Sequence, residues 1–388
     1  MRLRSVRNAL KPFFFKVLHL SPIKKNKVVF LNYDGKGYGD NAKYLAEEFL
    51  RRDFPLRLVW IVDGDADAFV PEGIKKVVSL NGLSASYALS SAKIIVNNCK
   101  STLPPHFRKK RDQFYLQTWH GDFALKYIEK EVEGQLPVSY VTKSKADSAI
   151  TDAIVSGCPF FSQILRESFW LPENCKILES GVPRNDLYYR GNTFRNKLKE
   201  RMGFSLDDRI LLYAPTFRDD GDTDCYDLDF EKLRKHLCQS TGEEWKIIVR
   251  LHPNVSARAD LFRYDEKIIN GTFCSDQQEL CMIADCLITD YSSIMGDFFI
   301  MGKPVFLYVP DWEHYNTACR GLRDMFFELP LPHLLTQDEL ETQMAHFDQE
   351  TYGRNVASFM DKYYRPFGDG HASEKIVDYL LGVMRLHG

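Results

Sequence analysis

RILLYAPTFRD, residues 209–219, is the segment on which the fold turns. Its first half is a short, continuous apolar run, the composition of a strand buried on both faces of a sheet. Its second half is a polar turn at that strand's carboxyl end, where open α/β sheets hold their ligands. Working outward, the same form recurs at WKIIVRLH from Trp245, CLITDY from Cys286 and PVFLYV from Pro304. Toward the amino terminus it recurs at KVVFLNY from Lys27, LRLVWIV from Leu56, KIIVNN from Lys93 and FYLQTW from Phe114. Amphipathic helical stretches separate the runs, which predicts two parallel sheets covered by helices: an α/β fold of two Rossmann-like domains, with a ligand cleft between them. Gly181, Pro183, Arg190, Gly191 and Asn192 supply turn chemistry near the break. The expected organisation is a leader over 1–27, a first α/β domain over 28–190 and a second over 191–388, closed by an amphipathic helix from about Ala372 to Leu386.

With 388 residues, 51 Lys and Arg against 53 Asp and Glu, and a net charge of −2, the chain has no whole-protein basic field to hold duplex nucleic acid. Nine cysteines, an odd number with no Cys-x-x-Cys spacing, argue against a disulfide framework or thiolate zinc site and for a reducing, cytoplasmic compartment. The leader is the exception to neutrality. It carries Arg2, Arg4, Arg7, Lys11, Lys16, Lys24, Lys25 and Lys27, and the first acid is Asp34. Leu3, Val6, Leu10, Phe13, Phe14, Val17 and Leu18 recur at helical spacing between them, so a basic amphipathic helix is expected against an anionic membrane surface. The apolar run Pro12–Phe15 is far short of the ~20 residues that span a bilayer. The expectation is peripheral attachment to the inner face of the cell membrane; docking on the protein's own body is the alternative.

Four polar clusters follow strand-like runs. His120-Gly121-Asp122 puts an imidazole at a strand end beside a glycine, suited to accepting a hydroxyl proton or to a structural hydrogen bond. Arg250 and His252 fall on one face of their strand and suit a phosphate. Thr289-Asp290-Tyr291-Ser292-Ser293 precedes an apolar helix, so its serines either cap that helix or cradle an anion. In Ala214-Pro215-Thr216-Phe217-Arg218-Asp219-Asp220, Thr216 and Arg218 could hold a phosphate, or Arg218 could pair with Asp219. Asp220, Asp222, Asp224 and Glu231 have calcium-loop spacing, but Cys225 stands where glycine is needed. The glycines from Gly35 to Gly39 fit neither a dinucleotide fingerprint nor a Walker motif.

In order along the chain, these segments resemble the CDP-glycerol glycerophosphotransferase family of teichoic-acid primases and polymerases, from about residue 29 to 376. The landmarks are Gly35 with Asp40–Tyr44, Gln117–Gly121, Glu179–Asp186, Tyr213–Asp219, Arg250–Pro253, Leu287–Ser293 with Asp297-Phe298, Lys303-Pro304, Arg320-Gly321, and Asp369-Gly370 with Ala372-Ser373. The resemblance implies a GT-B-like fold with an acceptor-binding first half and a CDP-binding second half. It implies transfer of a polyol phosphate from a CDP-polyol to a hydroxyl of a lipid-linked or polymer acceptor, releasing CMP; no Asp-x-Asp spacing reads convincingly as a metal motif beside the phosphate cluster, so no obligatory metal is expected, and no cofactor. His120 becomes the general base and His252 a second catalytic or pyrophosphate-stabilising imidazole. Thr216, Arg218, Arg250, Thr289, Asp290, Ser292, Ser293 and Arg320 fall at donor-phosphate positions, Asp290 as organiser of its loop. Asp40, Asn41, Gly121, Asp122, Arg184 and Asn185 fall at acceptor or structural positions. Asp122, Ala42, Phe217 and Leu322-Arg323-Asp324 depart from the family's usual residues, which leaves the identity of donor and acceptor open. The competing readings are a nucleotide-sugar glycosyltransferase, with Glu313 as its donor-ribose carboxylate, and a non-catalytic envelope-assembly protein.

Overall fold

A computed structural model describes residues 16–388 apart from 53, 65–68, 101, 105, 219–223, 252–254, 256–261, 319–320 and 387–388. His252, Arg320 and most of the basic leader therefore lie outside the described residues; of the leader, residues 16–19 are helical. The strands are β1 (Lys27–Leu31), β2 (Arg57–Val62), β3 (Ile74–Val78), β4 (Ile94–Asn97), β5 (Phe114–Gln117), β6 (Ala153–Ser156) and β7 (Lys176–Glu179) in a first sheet. A second sheet holds β8 (Arg209–Tyr213), β9 (Trp245–Val249), β10 (Ile268–Asn270), β11 (Cys286–Thr289), β12 (Val305–Tyr308) and β13 (His333–Leu334). Every pairing is parallel, in the orders β3-β2-β1-β4-β5-β6-β7 and β10-β9-β8-β11-β12-β13. The central strands are buried along their whole length, as double coverage by helices requires. These are the two parallel α/β sheets expected from the alternation of runs, in keeping with the GT-B-like fold that the resemblance implies.

Strand order reverses between β1 and β4 in the first sheet and between β8 and β11 in the second. At such a switch point the connections leave in opposite directions and open a crevice at the carboxyl ends of the two strands. Each sheet thus marks one place for chemistry.

The chain divides into two compact units, Met1–Asp122 with Glu129–Asp186 and Pro366–Gly388, and Phe123–Ile128 with Leu187–Arg365. This differs from the linear division at residue 190. The terminal helix, Ala372–Leu386, belongs to the first unit because Ile376, Val377, Leu380 and Leu381 bury against Ala42, Leu45 and Phe49 of the Asp40–Arg51 helix. Asp186 fixes its start by accepting from the backbone N–H groups of Ala372 (2.8 Å) and Ser373 (2.7 Å). Gly181, at φ +86°, lets the incoming chain pass: a Cβ there would lie 2.5 Å from the Cα of Gly368. Conversely, Phe123 packs among Phe299, Phe359 and Tyr364 and presses on Gly296, and Lys126 forms an antiparallel bridge with Leu322, which places this short segment in the second unit. Among the described residues no helix is long and apolar enough to cross a membrane.

Candidate functional site

The switch point of the first sheet gathers residues from three strand ends. Asn32 and Asn98 follow β1 and β4, and their side chains join: Asn98 Nδ2 donates to Asn32 Oδ1 at 2.7 Å, while Asn98 Oδ1 accepts the Tyr33 N–H at 2.9 Å. The Asn98 carbonyl accepts from His120 Nδ1, 2.9 Å away. A carbonyl cannot donate, so the His120 proton is on Nδ1 and the lone pair is on Nε2. Trp119 takes a left-handed conformation, φ +52°, held by its N–H on Gln117 Oε1 (3.0 Å) and its carbonyl on Asn41 Nδ2 (3.0 Å). The bend stacks the His120 ring on the Trp119 indole, with centroids 4.2 Å apart, and Tyr33 leans on it at 5.5 Å.

Asp40 and Arg184 brace this ring from beneath. Asp40 Oδ2 accepts from Arg184 Nη1 (3.0 Å) and from the Tyr33 hydroxyl (2.8 Å), and Arg184 Nη1 also donates to the His120 carbonyl at 2.7 Å. Arg184's backbone N–H reaches Asn41 Oδ1, 3.1 Å away. Tyr33, Asp34, Asp40 and Trp119 all have positive φ without being glycine. Four such residues around one imidazole are strain retained by its surroundings, a pattern that concentrates at functional sites. Burial pushes the His120 pKa below its ordinary 6.5, against the opposing pull of the Asn98 carbonyl and Asp40. Burial would raise the Asp40 carboxyl, but Arg184 and the Asn41 N–H outweigh it and hold Asp40 ionised below its usual range. The outcome is a neutral imidazole, fixed in one tautomer, above an ionised carboxylate.

Beyond His120, Gly121 leads to a buried Asp122. A Cβ on Gly157 would lie 1.6 Å from Asp122 Oδ2, so Gly157 is glycine to make room for that carboxylate. Asn185 is buried with Oδ1 lacking a hydrogen-bond partner among the described residues.

At the second switch point the loops after β8 and β11 meet. Arg218 is buried, and its guanidinium donates to Asp311 twice (2.6 and 3.1 Å), to Asp290 (2.9 Å) and to the Thr216 carbonyl (2.7 Å). Tyr291 and Tyr315, stacked 3.5 Å apart, lie against it at 5.1 and 4.9 Å. With two carboxylates on its fork, Arg218 braces the loops instead of standing free as the expected phosphate clamp; the Asp219 pairing lies outside the described residues. Asp311, invisible as a site residue in the sequence, is the reason. Asp290 also accepts the Thr216 N–H at 2.8 Å, the loop-organising position expected for it. Thr289 spends its hydroxyl on the Ala214 carbonyl (2.7 Å), and Arg250 Nη1 ties the Gly271 and Cys274 carbonyls (3.0 and 2.8 Å).

Three hydroxyls remain. Thr216 Oγ1 is buried without a hydrogen-bond partner among the described residues. Ser293 stands at the N-cap of the Ile294–Ile300 helix yet makes no side-chain capping bond, and Ser292 Oγ accepts only a long 3.5 Å contact from the Ile294 N–H. Among the described residues, no three His, Cys, Asp or Glu side chains are grouped so as to hold a metal ion.

Comparison with known proteins places this geometry. Residues 13–382 match the family model for CDP-glycerol:poly(glycerophosphate) glycerophosphotransferase. The chain is 31% identical to a teichoic acid poly(glycerol phosphate) polymerase of Bacillus spizizenii, with 98% of each chain covered. It is also 31% identical to a teichoic acid glycerol-phosphate transferase of Staphylococcus aureus, over 93% of this chain and 94% of that one. A poly(glycerol phosphate) polymerase of Staphylococcus epidermidis is 30% identical over 92% of this chain, which spans about half (51%) of that relative's length. Among solved structures, the wall teichoic acid polymerase TagF superposes with a TM-score of 0.86 at 28% identity, covering 100% of this chain and 97% of that one.

Proposed function

The chain belongs to the CDP-glycerol:poly(glycerophosphate) glycerophosphotransferase family, and from that premise we propose that it moves glycerol phosphate from CDP-glycerol to a hydroxyl of a lipid-linked or polymer acceptor. CMP leaves, and the product is a teichoic-acid-like phosphodiester. The observation that carries this reading is the His120 tautomer: with Nδ1–H on the Asn98 carbonyl, Nε2 presents a lone pair to an incoming hydroxyl. In-line attack at phosphorus asks for alignment and for charge neutralisation on the transferred group and on the departing CMP. In this account Nε2 takes the acceptor proton as the new P–O bond forms and the P–O bond to CMP breaks. Thr216, Ser292 and Ser293 donate to the donor phosphates, a role supported by a buried Thr216 hydroxyl with no partner among the described residues. His252 and Arg320, outside the described residues, are assigned to the donor phosphates from the family resemblance alone. Arg218, Asp290 and Thr289 hold the loops that carry these groups, and Arg250 fastens the end of β9.

The working location is the inner face of the cell membrane, with the basic leader on anionic lipid. A donor screen tests the reaction: CDP-glycerol, CDP-ribitol, UDP-sugars and GDP-sugars are each incubated with enzyme and a synthetic glycolipid acceptor, and the released nucleotide is measured. Acceptor-dependent CMP release from CDP-glycerol is expected. UDP or GDP release instead makes the protein a glycosyltransferase, and release from no donor makes it non-catalytic.

A further inference from the structure

The first sheet has a second feature, along its β3 side, with Lys27 and Arg57 at the amino ends of their strands and so away from His120. A groove of about 870 Å³ lies between the Leu83–Ser90 helix and the β1-β2-β3 edge, and Lys24, Lys27, Arg57, Lys75 and Lys76 line it. Among the described residues, no carboxylate lines it. Lys27 and Arg57 are the first residues of β1 and β2 and are register partners; Lys75 of β3 is partnered with Val59 of β2. The cations therefore cross three neighbouring strands, roughly 5 Å apart from one strand to the next. Tyr87 lies beneath them, with Lys24 Nζ 5.4 Å and Lys27 Nζ 5.0 Å from its ring.

This arrangement is electrostatically costly to the protein on its own. Lys27 is buried, and burial together with Lys24, Lys75 and Arg57 brings its pKa down to about 8. A concave wall lined by one sign of charge focuses field onto whatever enters it. Val78, Leu83 and Tyr87 are exposed beside the cations, giving short apolar ledges between charges. A flat bilayer meets a flat or convex surface; a trough bearing spaced cations and small apolar ledges suits a linear chain of alternating phosphates and short carbon units. We propose that this groove is a binding site for a linear phosphodiester polymer, separate from the reacting centre. β1 alone sets the two apart by roughly 15 Å, at about 3.3 Å per residue. A growing chain anchored here stays with the enzyme between additions, so its local concentration at the His120 end rises. The choice of glycerol phosphate as the repeating unit rests on the reaction proposed above; the charge and shape of the groove do not.

The test compares the full-length protein with an Arg57→Glu/Lys75→Glu variant, both positions being exposed and so tolerant of substitution. Affinity is measured for soluble oligo(glycerol phosphate), for inorganic polyphosphate, and for vesicles with and without phosphatidylglycerol, at low and high salt. The expected result is salt-sensitive binding of both soluble polymers that falls at least tenfold in the variant, with CMP release on a short acceptor unchanged. Because inorganic polyphosphate takes no part in the reaction, its arm reads the groove even if the proposed activity is wrong. Unchanged affinity for the soluble polymers, or a loss confined to vesicles, overturns the proposal.

Discussion

One nitrogen of His120 is available for proton transfer because the other is held by the Asn98 carbonyl, and the pH at which it works follows from its neighbours. Activity should rise with pH as the imidazolium loses its proton, with the acid limb below 6.5 because burial lowers the pKa. Asp40 favours the charged ring and Arg184 disfavours it. Asp40→Asn removes the first and leaves the second uncompensated, so the acid limb of kcat/KM should move to still lower pH, read directly from a pH–rate profile. Two further substitutions separate bracing from binding in the second unit. Arg218→Ala strands Asp290 and Asp311 without their partner and should cost about 3–5 kcal/mol of stability by denaturant titration. Thr216→Val removes a hydroxyl with no hydrogen-bond partner among the described residues and should leave stability nearly unchanged while weakening CDP-glycerol binding about 2- to 10-fold.

At the scale of elements, the eight apolar runs read from the sequence are strands, all of them interior. The five strands that escaped notice are β3, β6, β7, β10 and β13, and four of these are edges. Ile74-Lys75-Lys76-Val77-Val78 buries only Ile74 and Val77 and exposes two adjacent lysines, which is how edge strands avoid pairing with other chains and why they read as loop. β6 is interior but only four residues long. The site was legible to the extent that a residue follows its own strand: His120, Thr216 and Ser292 do. Asn98, Tyr33 and Asp311 act through pairings between strands distant in sequence, and strand order is not written in any local run. The terminal helix shows the same gap, since its amphipathic pattern announces a helix but not its partner. Leu380→Ala on that helix should destabilise the first unit by about 2–5 kcal/mol, measured by thermal or chemical unfolding.

For the molecule as a whole, the two units are interleaved along the chain, and this governs how it can be cut. A fragment ending at residue 190 lacks the terminal helix that completes the first core, and a fragment starting at 191 lacks Phe123 and the Lys126–Leu322 bridge. Neither fragment should give a cooperative unfolding transition alone, as calorimetry would read, whereas the intact chain should.

The central claim is that His120 Nε2 takes the acceptor's proton during transfer of glycerol phosphate. Acceptor-dependent CMP release from CDP-glycerol, measured for the native enzyme and for His120→Ala alongside CDP-glycerol affinity, tests it most directly. A fall in turnover of about 10²- to 10⁴-fold with donor affinity retained is the predicted result; near-native turnover by His120→Ala would contradict it.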